Sequence, residues 1–322
     1  MPYENKIKTL KSIISTGLND IIGDNCILVD APYYDNIGDV LIWQGIEDFL
    51  SAHNKKLMSV SSGSTFAYPN LSNKVTILLM GGGNFGDLWR WFQEIRLKVI
   101  SHYPDNRIIM FPQSIWYDNQ ELIAEDAKKM AQHKNLYLCA RDKFSYDFLK
   151  NNFSANNILL IPDMAFYISD CRLKQFRNKE TGKHLFFRRL DKEISLITPT
   201  SIGEDIDIHD WPTIEHYPKR FFFFNKACGA AGKISHPKCI RNSIYLSIDL
   251  LAKHYIKDSL TNAGCKFLAP YSKVTTTRLH AMILAILLHK PIEYIDNTTK
   301  KLSAFAETWL SNIPQVKSYE PD

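Results

Sequence analysis

The sequence predicts an α/β protein of two domains, each built on a parallel sheet. Its 322 residues are about twice a typical domain length. Short apolar runs alternate with helical stretches along most of the chain, and each exits into polar residues, the pattern of parallel strands buried on both faces. Near the end, β-branched Thr275, Thr276 and Thr277 lead through Arg278-Leu279-His280 into the apolar run Ala281 to Leu288, then Pro291 and Ile292 to Ile295. Strand, helix and strand in that order make one β-α-β unit.

In chain order, Glu4 to Ile22 carries Ile7, Leu10, Ile14, Leu18 and Ile21 at helical spacing, a stripe suited to covering a sheet. Cys26 to Val29 reads as a buried strand that exits through Asp30 to Asp39 into a helix from Val40 to Ala52. Val75 to Met80 is the next strand, and the glycine-rich Gly81 to Asp87 is expected to be a loop opening the helix Leu88 to His102. Strands follow at Arg107 to Phe111, ending at Pro112, at Leu136 to Ala140 and at Ile158 to Ile161, with helices at Gln120 to His133 and Phe144 to Asn151 between them. Asp170 to Lys183 loses apolar periodicity and reads as a linker, which sets the expected domains at 1–175 and 183–322. Beyond it come a strand at His184 to Phe187, two stretches that periodicity does not assign (Asp205 to Trp211 and Phe221 to Phe224), a helix from Ile240 to Leu260 stopped by Gly264, and a last helix from Leu302 to Leu310, expected to pack back on the first domain.

Composition narrows the class. Cys26, Cys139, Cys171, Cys228, Cys239 and Cys265 form no CxxC pair, the usage of reduced intracellular thiols, and Cys228, His236 and Cys239 fit no common zinc spacing, so no metal is assigned. No apolar window approaches the roughly 20 residues that span a bilayer, and the N-terminus lacks a signal-peptide core. The expectation is a cytoplasmic protein. A net charge of +5, spread along the chain, suits an anionic substrate or a transient contact with a negative membrane surface and falls short of a nucleic-acid footprint.

Candidate site residues sit at the strand exits. Arg278 and His280 flank a helix start, where free N–H groups and the helix dipole already favour an anion. Because residues two apart face different sides of a helix, one of the pair must lie in the bend. The plainer reading is a capping arginine and a packed histidine. Asn36 and Asp39 suit a hydroxyl-rich ligand beside Gly38, although Asp39 is equally read as a helix cap. Arg141 is either an anion ligand or a buried arginine paired with Asp142 or Asp163.

Taken together, Asn36-Ile37-Gly38-Asp39, Gly81 to Asp87, Ala140-Arg141-Asp142 with Ser145, Pro162-Asp163, Arg189 with Asp191 and Glu193, and Thr277-Arg278-Leu279-His280 with Pro291 and Asp296 resemble, in this order, the polysaccharide pyruvyl transferase family. The resemblance runs from about Asp30 to Leu310. It implies two Rossmann-like domains facing across a cleft, as in the glycosyltransferase-B architecture, with acceptor loops on the first and the donor site on the second. It implies transfer of pyruvate from phosphoenolpyruvate to two sugar hydroxyls as a cyclic ketal, in capsule or exopolysaccharide synthesis, with no tightly bound cofactor. The implied acceptor is a glycan, lipid-linked at the inner membrane face. Arg141, His280 and Lys301 are carried over as functional positions, with Arg278 and Arg189 beside them, and Lys300 leaves the lysine register open. A donor with a carboxylate and a phosphate of about −1.5 to −2 charge needs such a set of cations. His280 is either the acid for the enol carbon or the base for a sugar hydroxyl, and in the second case Asp39 or another carboxyl supplies the proton. Asn36, Asn84 and Asp87 are expected to hold the acceptor or orient backbone. Two other functions fit the same cleft: a nucleotide-sugar glycosyltransferase and a non-catalytic glycan-binding protein.

Overall fold

All strand pairing among the described residues is parallel and falls into two sheets. The computed structural model describes residues 2–189, 206–216, 224, 226–230, 238–296 and 299–320. Asp191, Glu193, Phe221 to Phe223, His236 and the Cys239 side chain lie outside them. The first sheet comprises β1 (Asn25–Val29), β2 (Lys56–Val60), β3 (Thr76–Leu79), β4 (Gly82–Gly86), β5 (Ile108–Trp116), β6 (Leu136–Ala140) and β7 (Asn157–Leu160). They stand in the order β2-β1-β3-β5-β6-β7, with β4 paired to the far end of β5. The second comprises β8 (His184–Phe187), β9 (Ile206–His209), β10 (Lys273–Thr276), β11 (Ile292–Tyr294) and β12 (Val316–Ser318), in the order β12-β11-β10-β8-β9. Parallel pairing forces each connection to cross over, so the loops at the strand carboxyl ends collect on one edge of each sheet.

Alternate residues of the first-sheet strands point to two different cores. Ile27, Ile77, Met110 and Leu138 pack on one face. Leu28, Leu78, Ile109 and Cys139 pack on the other, in a core that continues into Leu185, Met282 and Leu284 of the second half. The helix Ile37–Ala52 lies at that junction, with Ile37 to Ile46 buried without a break. Burial all round, rather than on one stripe, marks it as an internal helix.

Several sequence expectations change. The glycine-rich Gly81 to Asp87 does not open a helix: Gly82 to Gly86 is a strand, registered on Gln113, Ile115 and Trp116. Its partner therefore runs on through Pro112 to Trp116 instead of ending at Pro112. The helix that follows begins only at Arg90. Gly264 does not stop its helix, which continues from Lys257 to Leu268. A Cβ there would lie 2.7 Å from Ile37 Cγ2, so the glycine permits close helix contact. Asp170 to Lys183 includes a short helix, Asp170–Leu173, with Leu173 and Phe176 buried. Arg177 of that segment donates to Leu287 O at 3.0 and 2.9 Å. The edge strands β2 and β12, half-exposed and short, carry too little apolar signal to read from sequence. The final helix, Lys301–Trp309, packs on the first half: Trp309 Nε1 donates to Arg141 O at 2.7 Å and Phe305 stacks on Phe166. No helix of the described residues is long and apolar enough to cross a membrane.

The helix Lys238–Leu251 is tied to first-sheet loops by one carboxylate. Asp249 accepts from Tyr33 Oη at 2.9 Å, Thr65 Oγ1 at 2.6 Å and Ser61 Oγ at 3.1 Å. Burial raises its pKa to about 6, against the lowering effect of the three hydroxyls. The folded state therefore holds this proton more tightly than the unfolded chain, and Asp249 adds stability as pH falls from about 6 to about 4. In Asp249→Asn, urea midpoints compared between about pH 7 and about pH 4.5 should gain less on acidification than wild type; an unchanged slope would show that Asp249 titrates normally.

Candidate functional site

The carboxyl ends of both sheets open onto a cavity of about 300 Å³. The β1 exit supplies Tyr34, Asp35, Asn36 and Asp39; β4 supplies Gly83 and Asn84; the following helix start supplies Trp89 and Phe92. Arg141 comes from the β6 exit, Arg189 from β8, Trp211 from β9, Arg278 to His280 from β10, and Lys301 with Leu302 from the segment after β11. Eight predicted residues thus meet here: Asn36, Asp39, Asn84, Arg141, Arg189, Arg278, His280 and Lys301.

A buried carboxylate organises the centre. Asp163, fully buried just beyond β7, accepts Arg141 Nη1 at 2.8 Å and the Ala165 N–H at 2.9 Å, and lies 3.4 Å from His280 Nε2. Burial would raise its pKa, but the His280 hydrogen bond and charge, then Arg141 and the Ala165 N–H, hold it well below the ordinary carboxylate range. Arg141 Nη1 is also 3.4 Å from His280 Nε2. Ser114 Oγ accepts Arg141 Nε at 2.9 Å and donates to Asp142 at 2.7 Å. Asp142 itself caps the next helix through the Ser145 N–H. The arginine is therefore fixed on two sides, and a Cβ on Gly83 would lie 3.4 Å from its Nη2 and 3.1 Å from Lys301 Nζ. The two cations converge on one bare stretch of backbone.

Arg278 occupies the bend, as the N-cap of Leu279–Leu287, while His280 sits in the first turn. The expectation of an anion-binding fork changes here, because Nε and Nη2 of Arg278 already hold the fully buried Asp210 at 2.5 and 2.6 Å. That pair balances charge inside the wall and fixes the helix start. Lys301 is buried and lines the cavity, whereas Lys300 is exposed with φ +49° and does not line it. Asn36, not Asp39, caps its helix, accepting the Gly38 N–H at 3.0 Å. Asp39 Oδ2 instead accepts Tyr34 Oη at 2.8 Å and Asn36 Nδ2 at 2.9 Å. Opposite, the His280 ring packs on Gly38, where a Cβ would come within 2.6 Å of Nδ1.

Asp87 is not brought to the cavity: its carboxylate accepts the N–H groups of Asp118 at 2.9 Å and Asn119 at 2.7 Å, pinning the turn after β5. Residue reading alone missed Tyr34, Asp35, Trp89 and Asp210. Asp35 is raised by burial, against its own backbone N–H. Asp210 stood in the stretch that periodicity left unassigned, and only the β8–β9 pairing brings it to Arg278. The described residues contain no cluster of three or more side chains able to hold a metal.

Fold and site define a class: an α/β protein that gathers arginines, a lysine and a histidine at strand ends around one cavity. The chain belongs to the polysaccharide pyruvyl transferase family, whose pattern matches residues 36–298. EpsO of Bacillus subtilis (strain 168), assigned by name to the pyruvyl transferases, is 29% identical over 98% of this chain and 95% of its own length. Pyruvyl transferase 1 of Schizosaccharomyces pombe is 26% identical over 88% of this chain and 69% of its own. A crystal structure of an uncharacterized protein from Klebsiella pneumoniae subsp. pneumoniae NTUH-K2044 shares the fold, with a TM-score of 0.60 at 18% identity, covering 97% of this chain and 98% of that one.

Asp163→Asn removes the charge that Arg141 and His280 share. The expected loss is about 3 to 5 kcal/mol, the usual cost of breaking a buried ion pair from one side, read from urea unfolding; a loss below about 1 kcal/mol would show that the pair is not coupled as drawn.

Proposed function

We propose that this chain moves pyruvate from phosphoenolpyruvate onto two hydroxyls of a sugar in a polysaccharide or lipid-linked repeat unit, forming a cyclic ketal and releasing phosphate. The observation that carries the reading is the convergence of Arg141 Nη2 and Lys301 Nζ on Gly83, in a cavity also lined by Arg189 and His280. A donor with two anionic groups on three carbons needs several cationic donors within one small space. The reading includes two Rossmann-like domains, 1–175 and 183–322, facing across a cleft as in the glycosyltransferase-B architecture. It also places the protein in the cytoplasm, meeting the inner membrane face only through its acceptor.

In the reaction a proton adds to the methylene carbon of the enol, which makes the phosphate-bearing carbon electrophilic. One sugar hydroxyl adds there and loses its proton, the C–O bond to phosphate breaks, and the second hydroxyl closes the ring as it too loses a proton. Arg141 and Lys301 hold the donor's anionic groups, with Arg189 at the rim. His280 carries a proton, and Asp163, 3.4 Å from Nε2, is its counter-charge. Of the first-sheet carboxyls on the cavity, Asp35 is raised by burial, whereas Asp39 already accepts two hydrogen bonds on Oδ2. Asp35 is thus better suited than Asp39 to donate to carbon. Asn36 and Asn84 remain acceptor ligands in this scheme, and Asp87 does not.

The protein should release phosphate from phosphoenolpyruvate in the presence of a galactose-, mannose- or glucose-containing acceptor, with a new ketal methyl signal in the proton NMR spectrum. Consumption of a nucleotide sugar instead would replace this reading with that of a glycosyltransferase, and no consumption would favour a binding protein. His280→Ala should lower turnover by about 10²-fold or more while keeping the wild-type circular dichroism. Unchanged turnover would remove His280 from the chemistry.

A further inference from the structure

A second pocket, of about 270 Å³, adjoins the cavity and shares Tyr34 and Phe92 with it. Its outer wall is Trp91, 52% exposed although it is among the largest apolar side chains. Trp91 packs edge-on against Phe92 at 4.9 Å between centroids, and Phe92 against Tyr34 at 5.8 Å. Trp89, two residues before Trp91, lines the cavity itself. The run Trp89-Arg90-Trp91-Phe92 at the start of the helix therefore lays aromatic surface from the anion site outward. None of the chemistry above uses it. Asp30, Tyr33, Ser62, Gly63, Ser64 and Cys228 are among the other residues that line it.

A lone exposed indole is ordinary on a protein surface, but this one walls a pocket that adjoins the cavity and shares two of its aromatic side chains. Aromatic faces rimmed by hydroxyls and backbone suit a sugar ring, which presents C–H groups on its faces and hydroxyls at its edge. The cavity volume lies at the lower bound of ligand pockets, about 300 to 1,000 Å³. A three-carbon phosphorylated donor and one sugar ring fill it, so the neighbouring ring of a glycan must lie outside.

We propose that the pocket walled by Trp91, Phe92 and Tyr34 is an acceptor subsite for the sugar adjacent to the one that receives pyruvate. This inference rests on the pyruvyl transfer reading. It assigns the protein a glycan of at least two rings as acceptor, and makes Trp91 the residue that distinguishes it from a free monosaccharide.

The test measures binding separately from turnover. Methyl glycosides of galactose, mannose and glucose, and disaccharides ending in each, are titrated by calorimetry against the full chain without phosphoenolpyruvate, so that no transfer takes place. At least one disaccharide should bind about tenfold more tightly than its methyl glycoside. Trp91→Ala should abolish that ratio, and Trp91→Phe should restore most of it. Equal affinities within every pair, or a ratio that survives Trp91→Ala, would overturn the subsite. Phosphate release with wild type on the same acceptors reports separately on pyruvyl transfer: a preserved disaccharide ratio without phosphate release keeps a two-ring glycan site and sinks only the reaction.

Discussion

A carboxylate taken fully out of water needs cationic or hydrogen-bonding partners at contact distance, and Asp163 finds them on both sheets. Arg141 arrives from the neighbouring strand exit of its own sheet, and His280 from the first turn of the helix that follows β10 in the other. The charge requirement of one side chain thus ties the helix start after β10 to the first sheet. The continuous core through the helix Ile37–Ala52 supplies the apolar contact that holds the two sheets in that position.

The other buried pair has a different consequence. Arg278 and Asp210 neutralise each other inside the wall, so most of the Arg278 fork is spent on structure. Arg141, Lys301 and Arg189 line the cavity as well, with Arg141 Nη2 and Lys301 Nζ both close to Gly83. The aromatic run Trp89 to Phe92 beside it adds an apolar surface of opposite character.

Much of the site was legible because strand exits announce themselves. Arg141 directly follows an apolar run, Arg278 and His280 stand where β-branched threonines give way to an apolar helix, and parallel topology brings such exits to one edge. Glycine was less informative. Gly81 to Asp87 looked like a loop opening a helix, but Gly82 to Gly86 form a strand once β5 offers an edge to pair with. Gly264 looked like a stop and is a point of helix contact. A missing side chain can serve a turn, a ligand or a neighbour, and the local sequence is the same in each case.

The sequence by itself determined the alternation of strands and helices, the family, and the residue types that reach the strand ends, because these follow from hydrophobic period and from position next to apolar runs. Only the tertiary structure decided which cations line the cavity and which buried acid each one meets. Asp87 and Asp163 are both acids beyond strands, yet one pins a surface turn and the other anchors the site. Lys300 and Lys301 are adjacent and identical in sequence terms, yet a left-handed residue at 300 turns one outward and leaves the other to open the helix into the cavity. Such choices depend on partners distant in the chain, and no local pattern encodes a partner's position.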